Sequence, residues 1–150
     1  MIFTDTQFLT AKEKQLVYKD WVRFLDALIA DTGNSTIDRY GNDIPLLFRK
    51  FTKRLYNHLH QHCGYIAHYN QWGFFCTYFQ GGDDIASFIE AFKDDRYPLE
   101  DYIDINGAML KELGTREKAI LNKANNEQRE TDILQAKALL AKHGMTGGDI

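Results

Sequence analysis

The stretch from Ile44 to Phe79 constrains the fold most, because it holds both cysteines, many of the aromatic rings and all the histidines except His143. Pro45 suits the first turn of an α-helix, where its missing N–H costs nothing. After it, residues recur in steps of three and four, which is the pattern of one helical face. They are Phe48, Phe51, Leu55, Leu59, His62 and Ile66. The spacing predicts a single helix from about Pro45 to about Tyr69.

The opposite face of this predicted helix is basic and polar. It carries Arg49, Lys50, Lys53, Asn57, His60 and Gln61, with Arg54 on its flank. Cations on such a face can bind the phosphates of RNA or DNA. The candidate nucleic-acid ligands are Arg49, Lys50, Lys53 and Arg54. The net charge of −3 restricts such binding to a local patch, and the alternative is an ordinary solvated face beside the acidic stretch 83–104.

Two histidines of the same predicted helix raise the question of a metal. His62 falls on the apolar face where a leucine is expected, and His58 lies one turn earlier. Side chains at i and i+4 can both reach one metal ion, so His58 and His62 are candidate ligands for a divalent metal. The alternative is a core histidine that is hydrogen-bonded to a backbone carbonyl or a tyrosine. No other cofactor is indicated.

Capping residues and apolar spacing predict four further helices. Thr10 and Glu13 form a capping box, Asp83 or Asp84 suits an N-cap, and Gly114 suits a helix end before a new start at Thr115. The predicted ranges are about 10–30, 83–94, 99–113 and 115–143. The apolar stripes expected to face the core are Leu16, Val17, Trp21, Phe24, Leu25 and Leu28; Ile85, Phe88, Ile89 and Phe92; and Tyr102, Ile103, Met109, Leu110 and Leu113.

The last predicted helix is long and charged, and carries a heptad-like seam. The seam residues are Ile120, Ala124, Glu127, Thr131, Leu134, Ala138 and Ala141. Steps of four and three over this length are typical of a helix that packs on another helix. Because the middle of the helix is polar all round, it either breaks there or projects and pairs with a second subunit.

The remaining segments give weaker predictions. Residues 1–9 form a short apolar segment before the first helix, and residues 145–150 are expected to fray. The polar stretch Asp31–Asp43 predicts a turn-rich surface loop. The aromatic residues Phe74–Phe79 fit either a short strand or a buried helical turn, since periodicity alone does not separate the two.

Two patterns resemble known enzymes. Arg54 is followed six residues later by His60, which resembles the arginine–histidine motif of HEPN-type helical ribonucleases. That resemblance implies that Arg54 and His60 are catalytic residues for RNA cleavage. The residue after the arginine is often polar in that family, whereas it is Leu55 here.

The second resemblance concerns carboxylates. Asp101 and Asp104 lie on one predicted helix, and Glu127 and Glu130 lie on the next. This layout resembles the Glu-x-x-Glu and Glu-x-x-Asp pairs of all-α nucleotide pyrophosphohydrolases, which implies Mg²⁺ held against a nucleotide phosphate. The first pair is aspartates here, and the last residue is Glu130. The alternative for both patterns is an ordinary solvated helix face.

Taken together, the sequence predicts a single all-α domain of about five helices around an aromatic-rich central helix. The chain shows no signal peptide and no apolar run of membrane-spanning length, so a cytoplasmic protein with no membrane partner is expected. The favoured function is a protein-interaction or structural module that acts as a homo-oligomer or in a complex. The alternative is an enzyme that processes nucleic acids or nucleotides.

Overall fold

The computed structural model describes residues 2–63, 70–80, 84–94 and 100–142. Its helices are α1 (Ala11–Ala30), α2 (Leu46–Arg49), α3 (Lys53–His62), α4 (Gln71–Tyr78), α5 (Ile85–Lys93) and α6 (Ile103–Lys142), the last preceded by a 3₁₀ turn (Glu100–Tyr102). Within these ranges the strands are β1 (Ser35–Ile37) and β2 (Asp43–Pro45). The predicted all-α class is confirmed. Among the described helices, none is long and apolar enough to cross a membrane.

Helix α1 begins where the sequence predicts. Thr10 Oγ1 accepts a hydrogen bond from the Glu13 amide (3.1 Å), and the Glu13 carboxylate accepts one from the Thr10 amide (3.2 Å), so the capping box is present. The predicted apolar stripe is buried from Val17 to Leu28, and Leu16 is half-buried. The helix packs against α2, α3 and α6, and this places it at the centre of the described chain.

The polar stretch Asp31–Asp43, predicted as a loop, belongs to a β-hairpin. Strands β1 and β2 pair antiparallel. The Asp38 carboxylate accepts hydrogen bonds from the amides of Tyr40 (2.8 Å) and Asn42 (2.9 Å), and this interaction closes a tight turn. Strands of three residues are too short to show an alternating pattern in the sequence, which is why the pairing was not predicted.

The single helix predicted from Pro45 to Tyr69 is wrong, because the chain breaks between α2 and α3. Thr52 caps α3, with its Oγ1 accepting a hydrogen bond from the Leu55 amide (3.2 Å). The same hydroxyl donates to the buried carboxylate of Asp20 on α1 (2.7 Å). A buried carboxylate needs donors, so a tertiary contact fixes the break. Helix α3 ends at His62, and the later predicted turns lie outside the described residues.

The aromatic stretch Phe74–Phe79 is helical rather than extended. Asn70 caps α4, and its side-chain oxygen accepts a hydrogen bond from the Gly73 amide (2.6 Å). The rings of this helix join an aromatic cluster around the buried Phe51. The neighbours of Phe51, with ring centroid distances, are Phe24 (5.1 Å), Phe79 (5.3 Å), Phe74 (5.8 Å), Tyr56 (6.2 Å) and Phe75 (6.2 Å). The aromatic-rich core is confirmed.

Helix α6 is continuous, so the predicted break at Gly114 is wrong. Thr115 donates a hydrogen bond to the Glu112 carbonyl (2.9 Å) inside the helix. Arg116 binds the Glu112 carboxylate (2.7 Å) and the carboxylate of Asp26 on α1 (2.7 Å). These contacts hold the backbone helical at a position where the sequence favours a stop.

The buried face of α6 differs in part from the predicted one. Tyr102, Met109 and Leu113 are buried as predicted, but Ile103 and Leu110 are exposed. The face is completed by Ile105, Ala108, Ile120 and Ala124. Beyond these residues every described side chain up to residue 139 is exposed. Residues 125–142 are called the arm below.

Candidate functional site

Two charged residues that no sequence pattern singled out, Lys14 and Asp20, are buried on α1. Lys14 is fully buried, and its Nζ donates to the Thr4 carbonyl (2.8 Å) and to Asp104 Oδ1 (2.9 Å). Burial disfavours the Asp104 anion, but hydrogen bonds from Lys14 and from backbone amides lower the pKa of Asp104 below its ordinary value. The signal that could have found these residues is their place on the apolar face of α1, where Lys14 precedes Val17 by three residues.

Asp20 organises the start of α3. Its carboxylate accepts hydrogen bonds from Arg54 Nε (2.5 Å), Arg54 Nη2 (3.1 Å) and the Thr52 hydroxyl (2.7 Å). Burial opposes ionisation of Asp20, but these donors lower its pKa below the ordinary value. The guanidinium of Arg54, half exposed, is therefore held in one orientation by a bidentate pair.

A chain of hydrogen bonds links His58 and His62 through Asn106 of α6. His58 Nε2 lies 2.6 Å from Asn106 Oδ1, Asn106 Nδ2 lies 3.2 Å from His62 Nδ1, and His62 Nε2 lies 2.9 Å from the Phe92 carbonyl. Because an amide oxygen only accepts and an amide nitrogen only donates, this order assigns the tautomers. His58 and His62 are each protonated on Nε2. Burial lowers the pKa of His58 to about 4, so the ring is neutral at pH 7.

A cavity of about 380 Å³ lies between α1 and α3, beside this hydrogen-bonded chain. Its α3 wall is formed by four residues at i, i+3, i+4 and i+7 spacing, called the polar stripe below: Arg54, Asn57, His58 and Gln61. The facing wall is largely apolar and is formed by Phe8, Leu9, Glu13, Leu16 and Val17, with Tyr102 completing the lining. Six of the residues that line this cavity carry side chains that can form hydrogen bonds, and they lie beside an apolar wall.

The structure does not bring Arg54 and His60 into one site. Six residues along a helix rotate a side chain by roughly 120° from the first position. Arg54 lines the cavity, whereas His60 is not part of its lining and packs its ring against Tyr56 (5.5 Å). His60 Nδ1 is buried and has no hydrogen-bond partner among the described residues. The cavity instead combines Arg54 with His58, one turn further along α3.

The candidate metal ligands His58 and His62 are bridged by an amide. The Asn106 side chain occupies the position between the two rings and bonds to both. In the part of the chain that the structure describes, no group of three or more histidine, cysteine, aspartate or glutamate side chains could hold a metal ion. The hydrogen bond from His62 to the Phe92 carbonyl matches the alternative interpretation, a core histidine with a local partner.

Of the carboxylates that resemble a nucleotide pyrophosphohydrolase site, Asp104, Glu127 and Glu130 lie on α6, and Asp101 lies in the 3₁₀ turn before it, so the two pairs do not lie on two neighbouring helices. Asp104 and Glu127 both belong to α6, 23 residues apart, which corresponds to roughly 34 Å at the rise of an α-helix. Asp104 is moreover bound to Lys14. These pairs therefore cannot share a Mg²⁺ ion within one chain, and the resemblance does not extend to the structure.

Contacts within the domain reduce the number of cations on the basic face that are available to a ligand. Arg49 Nε donates to the Thr36 hydroxyl (2.8 Å), and Arg54 is bound to Asp20. Lys50 and Lys53 are exposed. Nucleic-acid binding at this face stays a prediction that depends mainly on the two lysines.

The arm is the second candidate site. Its large apolar side chains are exposed to 50% at Ile133, 67% at Leu134 and 57% at Leu139. The first two seam positions, Ile120 and Ala124, are buried in the domain, so the seam passes from the core onto the arm. The same two residues line a further cavity of about 260 Å³ at the base of the arm.

No protein-family model matches the sequence, and neither a curated protein nor a solved structure is significantly similar to it.

Proposed function

We propose that the protein is an interaction module that forms a homodimer through its arm, with the two arms antiparallel. The observation that carries the proposal is the arm itself, which continues α6 beyond the core with Ile133, Leu134 and Leu139 exposed. The helical arm has 18 residues and is roughly 27 Å long. Helices of this length are marginal in water on their own, and most of their stability comes from packing an apolar face. A second copy supplies that packing.

The charges of the arm favour an antiparallel partner over a parallel one. In the heptad that places Leu134 at a d position, Glu130 and Lys137 both occupy g positions. An antiparallel alignment centred near Leu134 sets Glu130 of one copy beside Lys137 of the other, and the twofold axis repeats the pair. A parallel alignment sets Glu130 beside Gln135, which gives no charge attraction. The complementary order of charges therefore supports self-pairing in one direction.

The base of the arm offers a place for the far end of the partner's arm. In the antiparallel alignment that pairs Glu130 with Lys137, position 141 of the partner lies at the level of Asn126, where the seam leaves the domain. The cavity at this level is lined by Leu28, Phe79, Ile120 and Ala124 among others. Burial of apolar surface there adds to the gain along the seam, at roughly 25 cal/mol for each Å² covered.

The direct test is the molar mass in solution. Light scattering after size exclusion should give twice the 17.4 kDa of one chain at high concentration, with dissociation on dilution. Leu134→Glu together with Ala138→Glu should give a monomer, because two charges would enter the seam at its d and a positions. Ile103→Glu is the matched control, since Ile103 is an exposed apolar residue of α6 outside the arm. A wild-type chain that stays monomeric throughout would exclude the proposal.

Charge exchange tests the antiparallel pairing itself. Glu130→Lys alone and Lys137→Glu alone should each weaken the dimer, because each creates two like-charge contacts across the twofold axis. The double exchange should restore the wild-type dissociation constant. If both single variants weaken the dimer but the double exchange does not restore its dissociation constant, the two arms pair in a different register.

A further inference from the structure

The cavity between α1 and α3 has two walls of different chemistry. The polar stripe offers two amides, a neutral imidazole and a guanidinium, while α1 presents Leu16 and Val17. Its volume of about 380 Å³ falls within the range of small-molecule sites, which are apolar with a few placed polar groups. We propose that this cavity binds a neutral heteroaromatic base, either in a free nucleoside or at an unpaired position of a single-stranded nucleic acid. The proposal is independent of the dimer, since none of these residues belongs to the arm.

The hydrogen-bonding groups match the edge of such a base. His58 is buried and donates a hydrogen bond from its Nε2–H to Asn106 Oδ1, so its unprotonated Nδ1 is an acceptor, and no described residue donates to it. Asn57 and Gln61 each add one amide donor and one amide acceptor, as in the bidentate pairing of amides with a base edge. A base carries donors and acceptors side by side on its edge, whereas a purely apolar ligand would offer no donor to the imidazole nitrogen of His58.

The aromatic faces of a base suit the other wall. Leu16 and Val17 pack against a flat ring without requiring a polar partner, and Tyr102 adds a ring and a hydroxyl at the same cavity. A flat ligand therefore satisfies both walls at once, with its edge on α3 and its face on α1.

The charges of the cavity indicate that the base, rather than a phosphate, is the recognised group. Arg54 is already paired with the buried Asp20, and Glu13 lines the same cavity. No excess of positive charge is left in the lining, whereas phosphate recognition depends on such an excess. This separates the cavity from Lys50 and Lys53 on the basic face, which lie outside it.

The test titrates adenosine, guanosine, cytidine and uridine into the full chain and measures binding by calorimetry and by saturation-transfer NMR. A short single-stranded oligonucleotide is titrated in parallel to distinguish a free nucleoside from a base within a strand. Asn57→Ala combined with Gln61→Ala should weaken binding by about tenfold or more, since two hydrogen bonds are lost. Both residues are exposed, so the fold should survive, and circular dichroism checks this. Lys53→Ala, on the same helix but outside the cavity, should bind as the wild type does.

The imidazole nitrogens give an independent readout. The ¹⁵N resonance of His58 Nδ1 should move on binding, because a donor then occupies its lone pair. The proposal is overturned if neither the nucleosides nor the oligonucleotide binds saturably, or if binding is unchanged in the double variant. It is also overturned if oligonucleotide binding survives the double variant and is lost in Lys50→Ala with Lys53→Ala, since the basic face would then be the site.

Discussion

At the scale of single residues, His58 shows how burial and one neighbour decide a side chain's chemistry. Burial keeps the ring neutral at pH 7, and Asn106 Oδ1 accepts a hydrogen bond of 2.6 Å from its Nε2–H. The neutral ring, which lines the cavity, can accept a hydrogen bond at Nδ1 and cannot act as an imidazolium acid at pH 7. The sequence places a histidine at this position but does not show its state, because Asn106 lies 48 residues away on α6.

The lowered pKa of His58 predicts a loss of stability on mild acidification. Between about pH 6.5 and about pH 4 the unfolded chain binds a proton at this residue and the folded chain does not, so the free energy of unfolding falls as pH falls through that window. The full loss is about 3 kcal/mol, from a pKa that is lowered by between two and three units. Urea unfolding at several pH values in the window measures it.

His58→Gln is the control for this slope, because glutamine can still donate to Asn106 and does not titrate. Asp20 and Asp104 do not interfere in most of the window, since their pKa values are lowered below the ordinary 3.8 and their stabilisation is lost only at lower pH. An equal slope in His58→Gln would show that the pH dependence arises elsewhere.

At the scale of elements, capping residues and apolar spacing predicted the helices correctly where contacts within the helix determine the structure. The capping box and stripe of α1 and the stripe of α5 are present as predicted. The break before α3 was not predictable, because Thr52 leaves the helix to bind Asp20, 32 residues earlier. The amide of Asn106 on α6 that bonds to both His58 and His62 was likewise not predictable, and the metal-ligand hypothesis for this pair stays a prediction. Both contacts involve a partner that is distant in sequence.

Gly114 gives a prediction that distinguishes a continuous α6 from a helix that ends. In the continuous helix its backbone is helical, and nothing lies within 4 Å of an added Cβ. Gly114→Ala should therefore stabilise the protein by about 1 kcal/mol, through higher helix propensity and a more restricted unfolded chain. Chemical denaturation measures the change.

Gly41→Ala is a control substitution for which the opposite change in stability is expected. The φ of +83° at Gly41 lies in the left-handed region, where a Cβ is strained even with open space around it. Gly41→Ala should destabilise the protein. If Gly114→Ala also destabilised it, Gly114 would be a left-handed helix end, and α6 would be two helices.

At the scale of the whole molecule, the chain divides into a domain with a buried core and an arm whose described side chains up to residue 139 are exposed. The core closes with Ile120 and Ala124. The sequence shows the seam, but it does not show that the seam passes from the buried core to the exposed arm. Isoleucine and alanine at positions 120 and 124 are compatible with a buried core and with a helix–helix contact alike.

This division predicts that a chain ending at residue 126 keeps a folded domain and loses association. The melting temperature of the full chain should rise with concentration over about a 100-fold range, since dimerisation stabilises the folded state by mass action. The melting temperature of the shortened chain should be independent of concentration and equal to that of the full chain at high dilution, because every described arm side chain up to residue 139 is exposed. Calorimetry at several concentrations checks both. A shortened chain that unfolds would show that the arm stabilises its own domain, and a melting temperature that still rose with concentration would place the dimer interface elsewhere.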